Sequence, residues 1–255
     1  MLVYPQLGSG ALGQFPVRKQ RRVRTVRNRA ADGRTVRLAD PGAEITSWKL
    51  QYVDLIDEEA AALRDFFEAC EGTLRSFTFL DPTANLLAWS ETLSEPVWTR
   101  GPLLAVADDI ADPQGGTRAS RLTNGGGGAQ SITQTLAAPA EYLYCFSVYV
   151  RTAATVAVTI LGCGDRGERE ATNQWARISH TASGEATFGL ELPAGAEVDV
   201  FGFQVEPQPS PSGYKPSTTG GVYEGARLRD DSFFIKTTCP GLHSCTVDII
   251  HANHL

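Results

Sequence analysis

Residues 85–217 admit few folds: charge thins out, no helical spacing of apolar residues survives, and Gly, Thr, Ser, Ala and Val alternate in short runs broken by turn residues. Period-two alternation sends successive side chains to opposite faces of a strand, so such runs bury one face of a sheet. The strongest runs are 142–150, 156–160, 174–178, 186–190 and 198–205. Many short strands at regular spacing predict a sandwich or jelly roll. In the first run, Tyr142, Tyr144, Phe146 and Val148 form the face expected to be buried, with Leu143, Cys145, Ser147 and Tyr149 opposite. Tyr149 is therefore the aromatic side chain expected to be exposed. The glycines at 125–128 read as a flexible loop tip and 207–213 as an exit linker.

The flanking segments differ in character. Arg18, Lys19, Arg21, Arg22, Arg24, Arg27, Arg29, Arg34 and Arg37 crowd into twenty positions whose sole acidic residue is Asp32. β-Branched residues interleave with these arginines at 22–27 and 35–38, on either side of Ala31-Asp32-Gly33. The pattern predicts an antiparallel hairpin with a basic outer face carrying Arg22, Arg24, Arg27 and Arg29. A third strand is expected at 48–52. It leads into a helix N-capped by Asp57, with Glu58 and Glu59 at the positive end of the dipole, Ala60, Leu63, Phe67 and Cys70 at helical spacing, and Gly72 as terminator. A strand at 77–80 stops at Asp81-Pro82. Two more, at 232–237 and 244–250, flank Pro240-Gly241.

A terminal segment of roughly forty residues is too small for a core of its own, so it is expected to complete the sheet begun before Asp81. The resulting class is mainly β: a small β-sheet or barrel assembly domain with one α-helix, residues 1–84 and 218–255, and an inserted jelly-roll-like β-sandwich, residues 85–217.

In order, Gln14-Phe15-Pro16-Val17, the strand and helix of 48–67, Phe77-Thr78-Phe79-Leu80-Asp81-Pro82 and the closing strands resemble the distal or minor tail proteins of long-tailed bacteriophages, some of which form rings at the end of the tail tube. The middle segment resembles the carbohydrate-binding-module-like sandwiches carried by phage tail proteins. Its opening Asn85-Leu86-Leu87-Ala88-Trp89-Ser90-Glu91, then Trp98-Thr99, residues 119–123 and 144–151, Trp175-Ala176-Arg177, residues 203–206 and 212–217 carry that likeness.

The resemblance implies a structural virion protein of the tail tip, assembled in the host cytoplasm as a homo-oligomeric, hexameric ring. Its implied partners are the tail tube protein, the tip hub or baseplate and the tape-measure protein. The peripheral module would contact host-surface glycans, and DNA would meet the ring only by passage through its lumen. Two other readings stand beside this one. One is an adhesin-like glycan-binding module without a ring role; the other is a tail-associated depolymerase, which needs a carboxylate pair in a groove.

The chemistry in the sequence points away from catalysis. No G-x-S-x-G, H-E-x-x-H or P-loop is present, so neither a catalytic residue nor a cofactor is assigned. Five cysteines without a C-x-x-C pair read as reduced, mostly buried thiols. Cys239, His243 and Cys245 are zinc-donor types, but a fourth ligand would have to come from His251, His254 or further away, and packed or exposed side chains are expected instead of a metal site. No run is apolar enough to span a bilayer, and the start lacks a basic-then-apolar leader, so the chain is expected to be kept in the cytoplasm until release. The net charge of −6 opposes bulk nucleic-acid binding. The arginine hairpin is expected to line a lumen or to pair with acidic residues of neighbouring subunits. Trp98, Trp175, Tyr142, Tyr144, Tyr149 and Phe203 offer flat faces to sugar rings; most are expected in the core, leaving Tyr149 as the candidate glycan contact.

Overall fold

The structure, a computed structural model, describes residues 2–252 and divides into two compact units. Of the described residues, unit 1 comprises 2–8, 13–79 and 223–252, and unit 2 comprises 9–12 and 80–222. The fold is mainly β, with sixteen strands and one helix among the described residues.

In unit 1, β1 (Arg18–Arg29) and β2 (Thr35–Leu55) form a long hairpin. Gly33 takes the left-handed conformation its turn requires (φ +84), and the Asp32 carboxylate accepts the Arg34 amide at 3.0 Å. The strand expected at 48–52 is not separate; it is the inner half of β2. Arg24 pairs with Asp40 but Arg22 with Ile45, so a bulge absorbs Pro41 and Gly42, where proline's missing N–H breaks no ladder bond. Inside the bulge Thr46, Trp48, Leu50 and Tyr52 alternate into the core.

The helix α1 (Asp57–Cys70) corrects the expected boundaries. Ile56, not Asp57, is the N-cap, and the Glu59 carboxylate reaches back to its amide at 3.4 Å. The buried stripe is Ala60, Leu63, Phe66 and Cys70; Phe67 lies half-buried beside it, stacked on Phe233 at 5.5 Å. Glu71 (φ 51) turns left-handed before Gly72 does. All three misplacements are shifts of one position, which a 3.6-residue repeat tolerates without losing its apolar face.

The remaining strands of unit 1 are β3 (Phe77–Leu80), β14 (Val222–Leu228), β15 (Ile235–Cys239) and β16 (Leu242–Ala252). The sheet order is β1-β2-β16-β14-β3, with β15 pairing β16. Strand β16 runs antiparallel along β2 from His243 opposite Leu55 to Ala252 opposite Ile45. Tyr4, Trp48, Phe66, Phe77 and Phe79 meet edge to face or tilted at 4.9–6.2 Å, and the Tyr4 and Tyr52 hydroxyls share a buried hydrogen bond of 2.8 Å.

Unit 2 stacks two antiparallel sheets. One holds β10 (Asp165–Ala171), β9 (Val156–Gly162), β12 (Thr187–Leu192), β7 (Gln130–Thr135) and β4 (Thr99–Arg100), in that order. The other holds β11 (Ala176–Ser183), β8 (Leu143–Arg151), β13 (Glu197–Glu206), β6 (Ala119–Asn124) and β5 (Leu104–Ile110). Tyr144, Phe146, Val148 and Val150 of β8 are fully buried; Tyr144 and Phe146 meet Phe188, and Phe146 also meets Phe203. Cys163 and Gly164, both at positive φ, make the two-residue turn between β9 and β10. The glycines at 125–128 are pinned rather than loose, because the Asn124 side chain accepts the Gly126 amide and donates to the Gly128 carbonyl.

Close approach of two strands makes Gly189 of β12 irreplaceable: a Cβ there would overlap the Ile132 carbonyl oxygen. Gly189→Ala should destabilise unit 2 by about 2–3 kcal/mol, in the range of core overpacking. Phe79→Ala should cost unit 1 about 3–5 kcal/mol. Urea unfolding followed by residue-specific hydrogen exchange will assign each loss to its unit.

Candidate ligand-binding face

The outer face of the β11-β8-β13-β6-β5 sheet gathers the polar chemistry of unit 2. Cross-strand register builds it in rows. Asp199 lies opposite Arg151 and Arg121, and Trp175, just before β11, falls in line with them. The next row is Arg177, Tyr149 and Phe201. Strand β13 achieves this through a bulge at Gly202 (φ +68), where one extra residue reverses the alternation. Asp199 and Phe201 therefore face outward on one side of it, whereas Phe203 and Val205 face the core on the other.

Asp199 is buried and accepts from two guanidinium groups, Arg121 Nε at 2.7 Å and Arg151 Nη2 at 2.8 Å. Burial alone would push its carboxyl up, but the two arginines hold it below the usual carboxylate range. The Arg151 guanidinium lies 4.7 Å from the Trp175 ring centroid and that of Arg177 5.5 Å from Tyr149, both within cation–π range. Among the described residues Arg177 Nε is buried without a hydrogen-bond partner.

The segment 207–213, expected to be an exit linker, is instead part of a strap, residues 207–217, on this sheet. The Pro209 carbonyl accepts from Thr181 and the Ser212 carbonyl from Arg177. Tyr214 packs on Phe201 at 5.1 Å and shares a hydrogen bond with Ser90. Under the strap Glu206 is fully buried, held by Lys215 Nζ at 2.9 Å, the Ser212 amide and hydroxyl, and Gln204. Burial raises its carboxyl, yet the bonds from Ser212, Lys215 and Gln204 keep it below the ordinary range.

The expected glycan contact, Tyr149, is half-buried rather than open, because Arg177 and Phe201 cover it. Trp98, Tyr142, Tyr144 and Phe203 are core, and Trp175 shares the face with Tyr149. Exposure is greatest elsewhere: Phe15 is 68% and Phe234 75% exposed, and both line a groove of about 490 Å³ on unit 1.

The four arginines expected on one basic face do not share one. Arg24 lies with Val26, Leu38 and Val36 and is paired to Asp40 at 2.7 Å. Arg27 and Arg29 lie on the opposite face of the hairpin, where Arg27 sits directly across from Arg37. Arg22, beyond the bulge, lies opposite Ile45 beside Arg229. All four are exposed.

Cys239 is exposed and Cys245 buried. His243 is held by Asp57 at 2.7 Å and Thr237 at 3.1 Å, and the Glu224 carbonyl accepts from His251 at 3.0 Å. His254 lies outside the described residues. Among the described residues no three His, Cys, Asp or Glu side chains are grouped to hold a metal ion. Burial pushes the Cys70, Cys163 and Cys245 thiols up to about 11.

No family model matches the sequence, and no curated protein matches it. Among solved structures, the chain is similar to the CBM22-1 xylan-binding domain of Paenibacillus barcinonensis Xyn10C, at 18% identity and a TM-score of 0.36 over 48% of this chain and 95% of that one. It is similar also to the C-terminal family 22 carbohydrate-binding module of Clostridium thermocellum Xyn10B, at 13% identity and 0.38 over 50% and 95%. A third is the enzymatically active domain of tailspike protein 4 from bacteriophage CBA120, at 12% and 0.36, where half of this chain spans only 22% of that one. At such identities and TM-scores these likenesses assign neither ligand nor activity.

Both carboxylates of the face titrate below their unfolded range. The stability they contribute is thus present above about pH 4, where the unfolded groups are ionised, and is lost as pH falls through the folded values. Glu206→Gln should cost about 3 kcal/mol near neutrality, as expected when a buried pair loses one partner. It should also flatten the acid limb of the stability profile, measured as urea midpoints across the acid range.

Proposed function

We propose that this chain is a non-catalytic structural component of a bacteriophage tail tip. Its split-sheet unit assembles with other copies into a ring, hexameric by the resemblance above, that joins the tail tube to the tip hub or baseplate. Its sandwich unit contacts host-surface glycans. The reading assigns no reaction to the chain.

The observation that carries the assembly role is the outer half of the β1–β2 hairpin. Both of its faces are left uncovered within unit 1. One presents Val36 and Leu38, 44% and 50% exposed; the other presents Arg27 directly opposite Arg37. Like charges directly opposed across a strand pair are unfavourable, and apolar side chains held in solvent contribute nothing to the core. An acidic, partly apolar partner surface relieves both. Residues 18–44 hold nine cationic and three acidic residues in a chain of net charge −6, so the rest of the chain is strongly acidic and complements the hairpin.

A second reading, a glycan-binding module without a ring role, is favoured by the row of Trp175, Arg151, Asp199 and Arg121. The two readings separate on the solution mass of the full chain, alone and mixed with tail tube protein. Assembly predicts a closed oligomer that reverts to protomers in Arg27→Glu/Arg37→Glu and weakens as salt is raised. A protomer under every condition, with or without tube protein, sinks the ring and leaves the module.

A further inference from the structure

We propose that the outer face of unit 2 binds acidic sugar residues, with a ring carboxylate taken by Arg151 at the Arg151–Arg177 end and the sugar body lying along Trp175. This rests on the glycan-binding part of the reading above and names its ligand class. Charge balance on the face leads to it. Arg121 and Arg151 both answer the buried carboxylate of Asp199, and Arg121 also pairs with the half-exposed Glu197 at 3.1 Å, whereas Arg177 bonds only neutral acceptors. Glu206 answers Lys215 and adds nothing. Arg118, over Phe201, is matched by Asp112 and Glu91, so the guanidinium without a carboxylate is that of Arg177, and positive charge is concentrated at the Arg151–Arg177 end.

Donor inventory agrees. Arg151 gives Nε and Nη2 to Asp199, and its Nη1 has no hydrogen-bond partner among the described residues. Arg177 gives Nη1 and Nη2 to the Ser212 carbonyl and the Ser147 hydroxyl, which are neutral acceptors, and its Nε is buried and unanswered. A guanidinium's planar fork suits a carboxylate better than a neutral oxygen. The aromatic rings lie against these same arginines, so one ligand can meet both.

Four neighbouring strands at ~4.8 Å spacing make the row about 14 Å long, room for a short oligosaccharide rather than a lone ion. The exposed carboxylate of Glu197 decides between anions: it can accept from sugar hydroxyls but repels the closely spaced phosphates of a nucleic acid strand.

The test is calorimetric titration of the full chain with trigalacturonate, neutral galactotriose and single-stranded oligothymidylate. The proposal expects trigalacturonate to bind, galactotriose to bind at least about tenfold more weakly, a difference of one charge-assisted contact or more, and oligothymidylate not to bind. Arg151→Gln should abolish the preference for the acidic sugar. Trp175→Ala should weaken trigalacturonate without removing the preference. Arg27→Glu/Arg37→Glu should leave the binding unchanged, because the hairpin is not the site. Thermal unfolding of each variant establishes that it is folded, and chemical-shift perturbation locates the contact should Arg151→Gln fail to fold.

Equal binding of galactotriose and trigalacturonate overturns the acidic class and leaves glycan binding standing. Binding of neither sugar overturns both. Binding lost in the hairpin variant, or oligothymidylate binding that depends on Arg151, shows a general polyanion response and overturns the proposal.

Discussion

The antiparallel pairing of β16 with β2 is the interaction on which unit 1 depends. It sets Ile249 opposite Trp48 and Val247 opposite Leu50, so the aromatic core of the first segment gains its neighbouring strand only when the last segment arrives. Few contacts in a chain of this length lie further apart in sequence. Closing such a loop costs entropy that grows only slowly with its length, so a long excursion between the partners is tolerable thermodynamically. The cost falls on rate, since distant pairings must wait for the intervening chain. Until β16 docks, the β2 edge and the face around Trp48 stand open.

Much of the architecture was legible in the alternation of residues. Tyr144, Phe146 and Val148 sit where a period-two reading puts them, and the hairpin turns at Asp32-Gly33. What escaped notice was what alternation does not encode. Residues 165–171 form β10 although Arg166, Glu168, Arg169 and Glu170 make them look like a loop; the signal was the Cys163-Gly164 turn before them. The bulge at Gly202 reverses the parity of β13, and a glycine inside an apolar run was its sole mark. The strands expected at 35–38 and 48–52 are one, because a bulge at Pro41-Gly42 lets a single strand continue.

The candidate face was the least legible part, for a related reason. Tyr149 could be assigned to the outward side of β8, but its surroundings are made by Arg177 from one neighbouring strand, Phe201 from the other and the strap beyond. Pro207, Pro209 and Pro211 signal a chain that is neither helix nor sheet, and composition of that kind does not distinguish a free linker from a segment tied down by its side chains. The tie is Glu206, a single carboxylate that collects Lys215, Ser212 and Gln204 and so fixes the course of the segment after it.

Strand β1 is an edge strand, and its outer backbone groups have no partner strand within the sheet order of unit 1. An unprotected edge of this length invites another edge to join it, and identical chains stacking in that way grow into fibres. Arginine at nearly every second position prevents this, because two such edges brought together would place like charges side by side. The open edge is thereby closed to its own likeness. On the assembly proposed above, a concentrated pool of free chains would persist without fibrillating, and growth would proceed only where a differently charged surface is offered, which in a symmetric assembly is the condition for a head-to-tail contact.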